Sequence, residues 1–123
     1  MIKTVFFRVD GDAGKYAGLG HIYRALSVYN FLKKELGPKY KYVFLCKNYK
    51  EGINLIRKNT KEKIILFSKS KLKKISFKKS DVVIIDMFGA ENFFLKKLSK
   101  MGVKKICFDQ IELKYFKSGL IIN

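Results

Sequence analysis

The apolar positions of this chain change period several times, and the changes divide it into elements. Ile2 to Val9 is a mostly apolar run, the pattern of a strand covered on both faces. From His21 onward Ile22, Ala25, Leu26, Tyr29, Leu32 and Leu36 recur at helical spacing, and Gly37-Pro38 supplies a stop. Tyr40 to Cys46 reads as a second strand. Asn48 is placed to cap a short helix containing Ile53, Leu55 and Ile56, and Lys63 to Phe67 reads as a third strand. The lysine-rich stretch up to Lys79 fits a short helix or a loop. Asp81 to Met87, dominated by Val82, Val83, Ile84 and Ile85, predicts a strand. A helix from Ala90 to Met101 follows, ended by Gly102; Lys104 to Phe108 is the next strand, and Leu120 to Ile122 begins a last one.

Strands and helices alternate with short connections, and the strands are apolar throughout. That order predicts an α/β domain: a Rossmann-like parallel sheet with helices on both faces. Right-handed crossovers then bring every strand's C-terminal end to one edge, where such sheets bind ligands. Asp10, Cys46, Asp86 and Asp109 each close an expected strand, so three carboxylates converge on that edge. No internal repeat or linker divides residues 1–123, which read as one domain. The sequence finishes at Ile121-Ile122-Asn123, in or just after a strand, and so reads as the front portion of something larger or as a part that needs a partner.

Composition narrows the setting. Apolar residues make up 48% of the 123, enough for a core, and no apolar run reaches the roughly 20 residues of a membrane span. The first ten residues carry charge inside their apolar stretch and lack a small-residue cleavage site, unlike a signal peptide. Cys46 and Cys107 are two thiols without a second pair or an adjacent histidine, which fits free cysteines in a cytoplasmic protein. The net charge is +17, and it comes from lysine: Arg8, Arg24 and Arg57 are the three arginines. From Arg57 to Lys79 there are ten basic residues and one acid, Glu62. Such a surface attracts nucleic acid, anionic membrane or phosphorylated small molecules, yet it equally fits an A·T-rich coding bias. Sequence-specific nucleic-acid readers favour arginine with aromatic or amide side chains, so a nucleic-acid partner is not expected.

The candidate chemistry lies in Gly18-Leu19-Gly20-His21, which opens the first helix and holds the chain's single histidine. Two common phosphate motifs do not fit. A dinucleotide fingerprint needs a third glycine where Tyr23 stands and an acid after the second strand, which ends Cys46-Lys47. A P-loop needs Ser or Thr after Gly14-Lys15, where Tyr16 stands. What remains is Arg8-Val9-Asp10, a flexible stretch with Gly11 and Gly14, and then the glycine-histidine helix start. Glycines there let a backbone approach a ligand closely, and a helix N-terminus presents unpaired N–H groups suited to a diphosphate. A histidine at such a start can act as a general base, or it can merely cap and pack.

Arg-x-Asp followed by Gly-x-Gly-His-x-x-Arg, here Arg8, Asp10, Gly18, Gly20, His21 and Arg24, resembles the start of the UDP-2,4-diacetamido-2,4,6-trideoxy-β-L-altropyranose hydrolases of pseudaminic acid synthesis. The SpsG-type spore-coat polysaccharide proteins share it. "VVIIDMFG" and "KKICFDQIE" resemble the later strands of that family, each ending in an acid, and "SGLIIN" resembles the segment near the end of its first domain. The resemblance implies the N-terminal half of a glycosyltransferase-B fold, with the nucleotide-binding C-terminal domain outside these residues. It implies a nucleotide-sugar hydrolase in which His21 activates water for attack at the anomeric carbon, with Asp10 as the second catalytic residue. Arg8, Gly18, Leu19, Gly20, Arg24, Asp86 and Phe88 would contact the substrate, and either aspartate could orient His21. No metal or cofactor is implied; the partners would be a UDP-sugar and a second domain in cis or in trans. Two alternatives stand beside it: a glycosyltransferase-B-type transferase domain, or a non-catalytic basic module that binds RNA or another anionic partner through its lysines.

Overall fold

In the computed structural model, residues 3–12, 18–87 and 90–108 and the backbone of 120–122 are described. The elements run β1 (Lys3–Val9), α1 (Gly20–Leu36), β2 (Tyr40–Cys46), α2 (Lys50–Asn59), β3 (Lys63–Leu66), α3 (Lys69–Lys73), β4 (Val82–Asp86), α4 (Asn92–Met101), β5 (Lys104–Phe108) and β6 (Leu120–Ile122). The strands form one sheet in the order β3-β2-β1-β4-β5-β6, and every neighbouring pair is parallel. This is the doubly wound order, whose strand sequence reverses direction between β1 and β4. The α/β expectation therefore holds, and it holds because apolar strands covered on both sides need helices on both sides.

Alternation along β1 builds two separate cores. Val5, Phe7 and Val9 face one side and pack with Ile22, Ala25, Leu26 and Tyr29 of α1 and with Ile53 and Ile56 of α2. Phe6 faces the other side, with Leu72 after β3, Phe77, and Phe94, Leu95 and Leu98 of α4. The same alternation assigns the ends of the strands. On β4, Val83 and Ile85 belong to the α3–α4 side, while Ile84 belongs to the α1–α2 side, as does the pleat position of Asp86.

Helix ends follow their sequences closely. Gly37 adopts φ +63°, a conformation that favours glycine, and Pro38 begins a single 3₁₀ turn into β2. At Gly102, φ +69°, the N–H groups of Gly102 and Val103 donate to the carbonyls of Ser99 and Leu98, closing α4 while Leu98 and Val103 stay fully buried. One cap differs from expectation. Asn48 does not cap α2; Tyr49 occupies the N-cap with no side-chain bond, and Gly52 instead donates to the carbonyl of Gly11. Close backbone packing has replaced a side-chain cap there. Cys46 and Cys107 are free and enclosed, and burial is the main cause that pushes their thiols up to about 12 and about 11.

Candidate active site at the β1–β4 edge

The loop after β1 is fixed from two directions. A Cβ at Gly11 would stand 2.6 Å from Ile22 Cγ1 of α1, and a Cβ at Gly52 of α2 would stand 2.6 Å from the Gly11 carbonyl. The backbone thus passes between the two helices where a side chain would not fit. Asp12 Oδ1 accepts from the Gly18 N–H at 3.0 Å, joining the two ends of a loop whose residues 13–17 lie outside the described set. Gly18 takes φ +63°, Leu19 is the N-cap, and α1 begins at Gly20. Among the described residues nothing lies within 4 Å of a Cβ placed on Gly20, so they leave the helix start open at that point.

His21 is 7% exposed and its Nδ1 lies 2.7 Å from Asp86 Oδ1. An ionised carboxylate only accepts, so Nδ1 is the protonated nitrogen and the ring's lone pair lies at Nε2 in its neutral form. Asp86 is itself enclosed. Its Oδ2 accepts from Arg24 Nε at 2.7 Å, and Arg24 Nη2 reaches Oδ1, a two-point grip on the carboxylate. The guanidinium of Arg24, about a third exposed, lies 4.7 Å from the centre of the Phe108 ring. Residues 21 and 24 reach one carboxylate because positions three apart share a helix face. The register opposite Val9 puts Asp86 at the strand end beside the loop. The triad thus stands at the switch point, in the crevice where doubly wound sheets bind ligands.

Arg8 and Asp10 form a second cluster. Arg8 is fully buried and points to the α3–α4 side, opposite to His21. Its Nη1 and Nη2 donate to Asp10 Oδ1 and Oδ2 at 2.7 and 2.9 Å; Nη2 also meets Glu91 Oε2 at 2.7 Å, and Nη1 meets the Leu45 carbonyl at 3.2 Å. The guanidinium stacks 4.1 Å above Phe67. Desolvation opposes its charge, but Asp10 and Glu91 more than offset this and hold Arg8 above its ordinary value. Asp10 Oδ1 also accepts the Lys47 N–H at 2.8 Å, tying the end of β1 to the end of β2.

These contacts place the residues singled out in the sequence. Arg8, expected at the substrate, has its guanidinium enclosed by Asp10, Glu91, Leu45 and Phe67. Asp10, expected as a catalytic residue and as one of two aspartates that could orient His21, has its carboxylate engaged by Arg8 and Lys47, and Asp86 is the carboxylate on the histidine. Gly18, Leu19, Gly20, His21, Arg24 and Asp86 come together as anticipated. Phe88 and Asp109 lie outside the described residues. Two contributors went unnoticed in the sequence, Glu91 and Phe108. Glu91 directly precedes α4 at the same sheet edge, and Phe108 closes β5 beside Asp86 in register; position at a strand or helix end was the only signal available. Among the described residues no group of three or more His, Cys, Asp or Glu side chains could hold a metal ion, and no helix is long and apolar enough to cross a membrane.

Comparison with known proteins adds one relative. No family model matches the chain, and no solved structure matches it. Over 100 residues, covering 80% of this chain, it is 37% identical to uncharacterized protein MJ1062 of Methanocaldococcus jannaschii. The matched segment is 20% of that relative, so the chain spans about a fifth of its length.

Proposed function

We propose that the chain carries the catalytic loop of a nucleotide-sugar hydrolase, a cytoplasmic enzyme acting on a UDP-linked amino-deoxy sugar. The observation that carries this reading is the His21–Asp86 pair at the switch point of the sheet, under an open, glycine-built helix start. With Nδ1–H committed to Asp86, Nε2 takes a proton from water as the water oxygen attacks the anomeric carbon. The bond from that carbon to the diphosphate oxygen breaks, its electron pair leaves with UDP, and the free sugar is released. The positive charge gained by the ring lies against Asp86, which Arg24 keeps aligned. The N-terminus of α1, with unpaired N–H groups and partial positive charge, faces the same edge and suits the diphosphate.

The likeness of Gly18-Leu19-Gly20-His21-Ile22-Tyr23-Arg24 to the altropyranose hydrolases narrows the substrate to a UDP-linked diacetamido-trideoxy sugar. Most contacts to the uridine are assigned to a second domain, in cis or in trans. The test is release of UDP and free sugar from UDP-2,4-diacetamido-2,4,6-trideoxy-β-L-altropyranose, measured with the natural protein and its His21→Ala variant. Loss of a general base predicts a fall of about 10²- to 10⁴-fold in kcat with folding retained. Undiminished turnover in that variant would remove His21 from the mechanism. Free sugar formed without an added acceptor separates hydrolysis from glycosyl transfer.

A further inference from the structure

The charge of the molecule is distributed unevenly over its two helical layers. α3, the segment that follows it and α4 form one layer: Lys97 Nζ donates to the Leu72 carbonyl at 2.7 Å, and Leu72, Phe77, Phe94 and Leu98 share one core. The outer surface of that layer carries Lys69, Lys71, Lys73, Lys74, Lys78 and Lys79, all exposed, and α4 adds two more exposed lysines. Between Phe67 and Gly102 the sequence has three acids, and each is engaged inside the fold. Asp81 is buried and accepts the N–H groups of Thr4 and Lys78; Asp86 holds His21 and Arg24; Glu91 meets Arg8 and Lys47. None of them is exposed to offset the lysines. The α1–α2 layer differs, because Glu35 and Glu51 stand exposed among its cations.

We propose that the α3–α4 layer docks on an anionic phospholipid surface, leaving the β1–β4 edge clear at the side. Lysine point charges neutralise phosphate of any origin; the other side chains of this layer decide which polyanion fits. Its exposed cations include no arginine. The large apolar side chains exposed among the described residues are Tyr23, Phe31 and Tyr49 on or beside α1 and α2, together with Leu66 and Met101. Of these only Met101, at the end of α4, borders the lysine layer; Leu66 shares the pleat side of Ile64 and Cys46, toward α1 and α2. Single-stranded nucleic acid is held by successive aromatic stacking platforms, whereas the one partly open ring of this layer among the described residues is Phe93, stacked on Phe67 with Lys69 Nζ 5.7 Å from its centre. Lysines with long apolar stems, bordered by Met101, instead suit a headgroup region. The attraction falls off within a Debye length and requires no directional contact, as a diffuse charged layer provides.

The experiment is vesicle co-sedimentation of the natural protein with phosphatidylcholine alone and with phosphatidylcholine containing phosphatidylglycerol, at low and high salt. Two quadruple variants of equal net charge are compared. One carries Lys69→Glu, Lys71→Glu, Lys73→Glu and Lys74→Glu; the other carries Lys34→Glu, Lys39→Glu, Lys50→Glu and Lys58→Glu on the α1–α2 side. Glutamine versions of both sets, with circular dichroism, guard against loss of fold. The expected result is binding only to phosphatidylglycerol vesicles, abolished by high salt and weakened at least roughly a hundredfold by the first set. The second set should retain most of it. Equal loss in both sets would assign the effect to net charge and overturn the proposal, as would binding to phosphatidylcholine or no binding at all. Tighter binding of a duplex DNA or RNA oligonucleotide through the same four lysines would overturn it in favour of nucleic acid.

Discussion

Two arginine–carboxylate clusters lie at the same sheet edge, on opposite faces, and they differ in what encloses them. Arg8 is surrounded by Asp10, Glu91, the Leu45 carbonyl and the Phe67 ring, with no surface exposed. Arg24 grips Asp86 while remaining a third exposed, and the carboxylate's inner oxygen is shared with a histidine next to an open glycine. The first cluster joins the ends of β1 and β2 to the start of α4 and has the character of a structural clamp. The second leaves an imidazole ring at the crevice, with its orientation fixed from behind by Asp86. An arginine near a ligand edge is therefore informative only once its burial is known. A buried charge removed from its partners is strongly destabilising, whereas an exposed one returns to water at little cost.

The sharpest way to break the comparison is to alter each carboxylate partner and read both activity and stability. Asp86→Asn removes the acceptor that fixes the ring, and hydrolysis is expected to fall on the order of 10²- to 10⁴-fold, with only a modest change in the urea midpoint. Arg8→Ala should do the reverse. It strands Asp10 and Glu91 inside the fold and is expected to cost about 3–5 kcal/mol in urea unfolding. If Arg8→Ala were stable and inactive, the clamp would have to be reassigned to the site.

The two glycine positions refine the same contrast. Gly11→Ala drives a Cβ against Ile22 and should cost about 1–3 kcal/mol, because both flanking helices are packed. Gly20→Ala meets no neighbour among the described residues and should leave stability within about 1 kcal/mol or improve it. Its activity should nevertheless fall, because the methyl group occupies the open helix start. A fully active Gly20→Ala variant would argue that substrate does not approach there.

The smallest effect concerns the enclosed thiols. Cys46 and Cys107 are held at about 12 and about 11 by burial, above the 9.0 of a free thiol. The folded state thus keeps protons that the unfolded state loses, so stability from these groups is complete below about pH 9. It declines as pH rises from there toward 11 and 12, by roughly 1.4 kcal/mol per unit for each thiol. Lys105, fully buried and held below its ordinary value by desolvation, acts in the opposite direction. The thiol contribution is therefore read as the difference between the protein and its Cys46→Ala, Cys107→Ala variant across pH 8 to 10. A thiol reagent should not label the folded protein at pH 8 and should label both cysteines in urea.

Much of the fold was legible because it depends on local periodicity. The bounds of β2, β5 and β6 match the sequence reading, and α1 and α4 stop at Gly37 and Gly102 as their glycines require. The missed cap at Asn48 depended on a neighbour remote in sequence, the Gly11 carbonyl, which no local pattern reports. In the site, Gly18 through Arg24 were legible as a group because they are contiguous on one helix start. The partners were not. His21 could have been oriented by Asp10 or by Asp86, since both close strands at the same edge.

What the sequence determined alone is the set of elements and the edge on which the acids gather, because strand and helix periods are properties of neighbouring residues. Tertiary structure alone decided which acid serves which cation. The pleat points Arg8 to the α3–α4 side and Asp86 to the α1 side, and the parallel register sets Asp86 opposite Val9. Alternation on a strand turns a difference of one residue into opposite faces of the sheet, so partners nearly equivalent in sequence become the inside of a clamp and the back of a candidate active site.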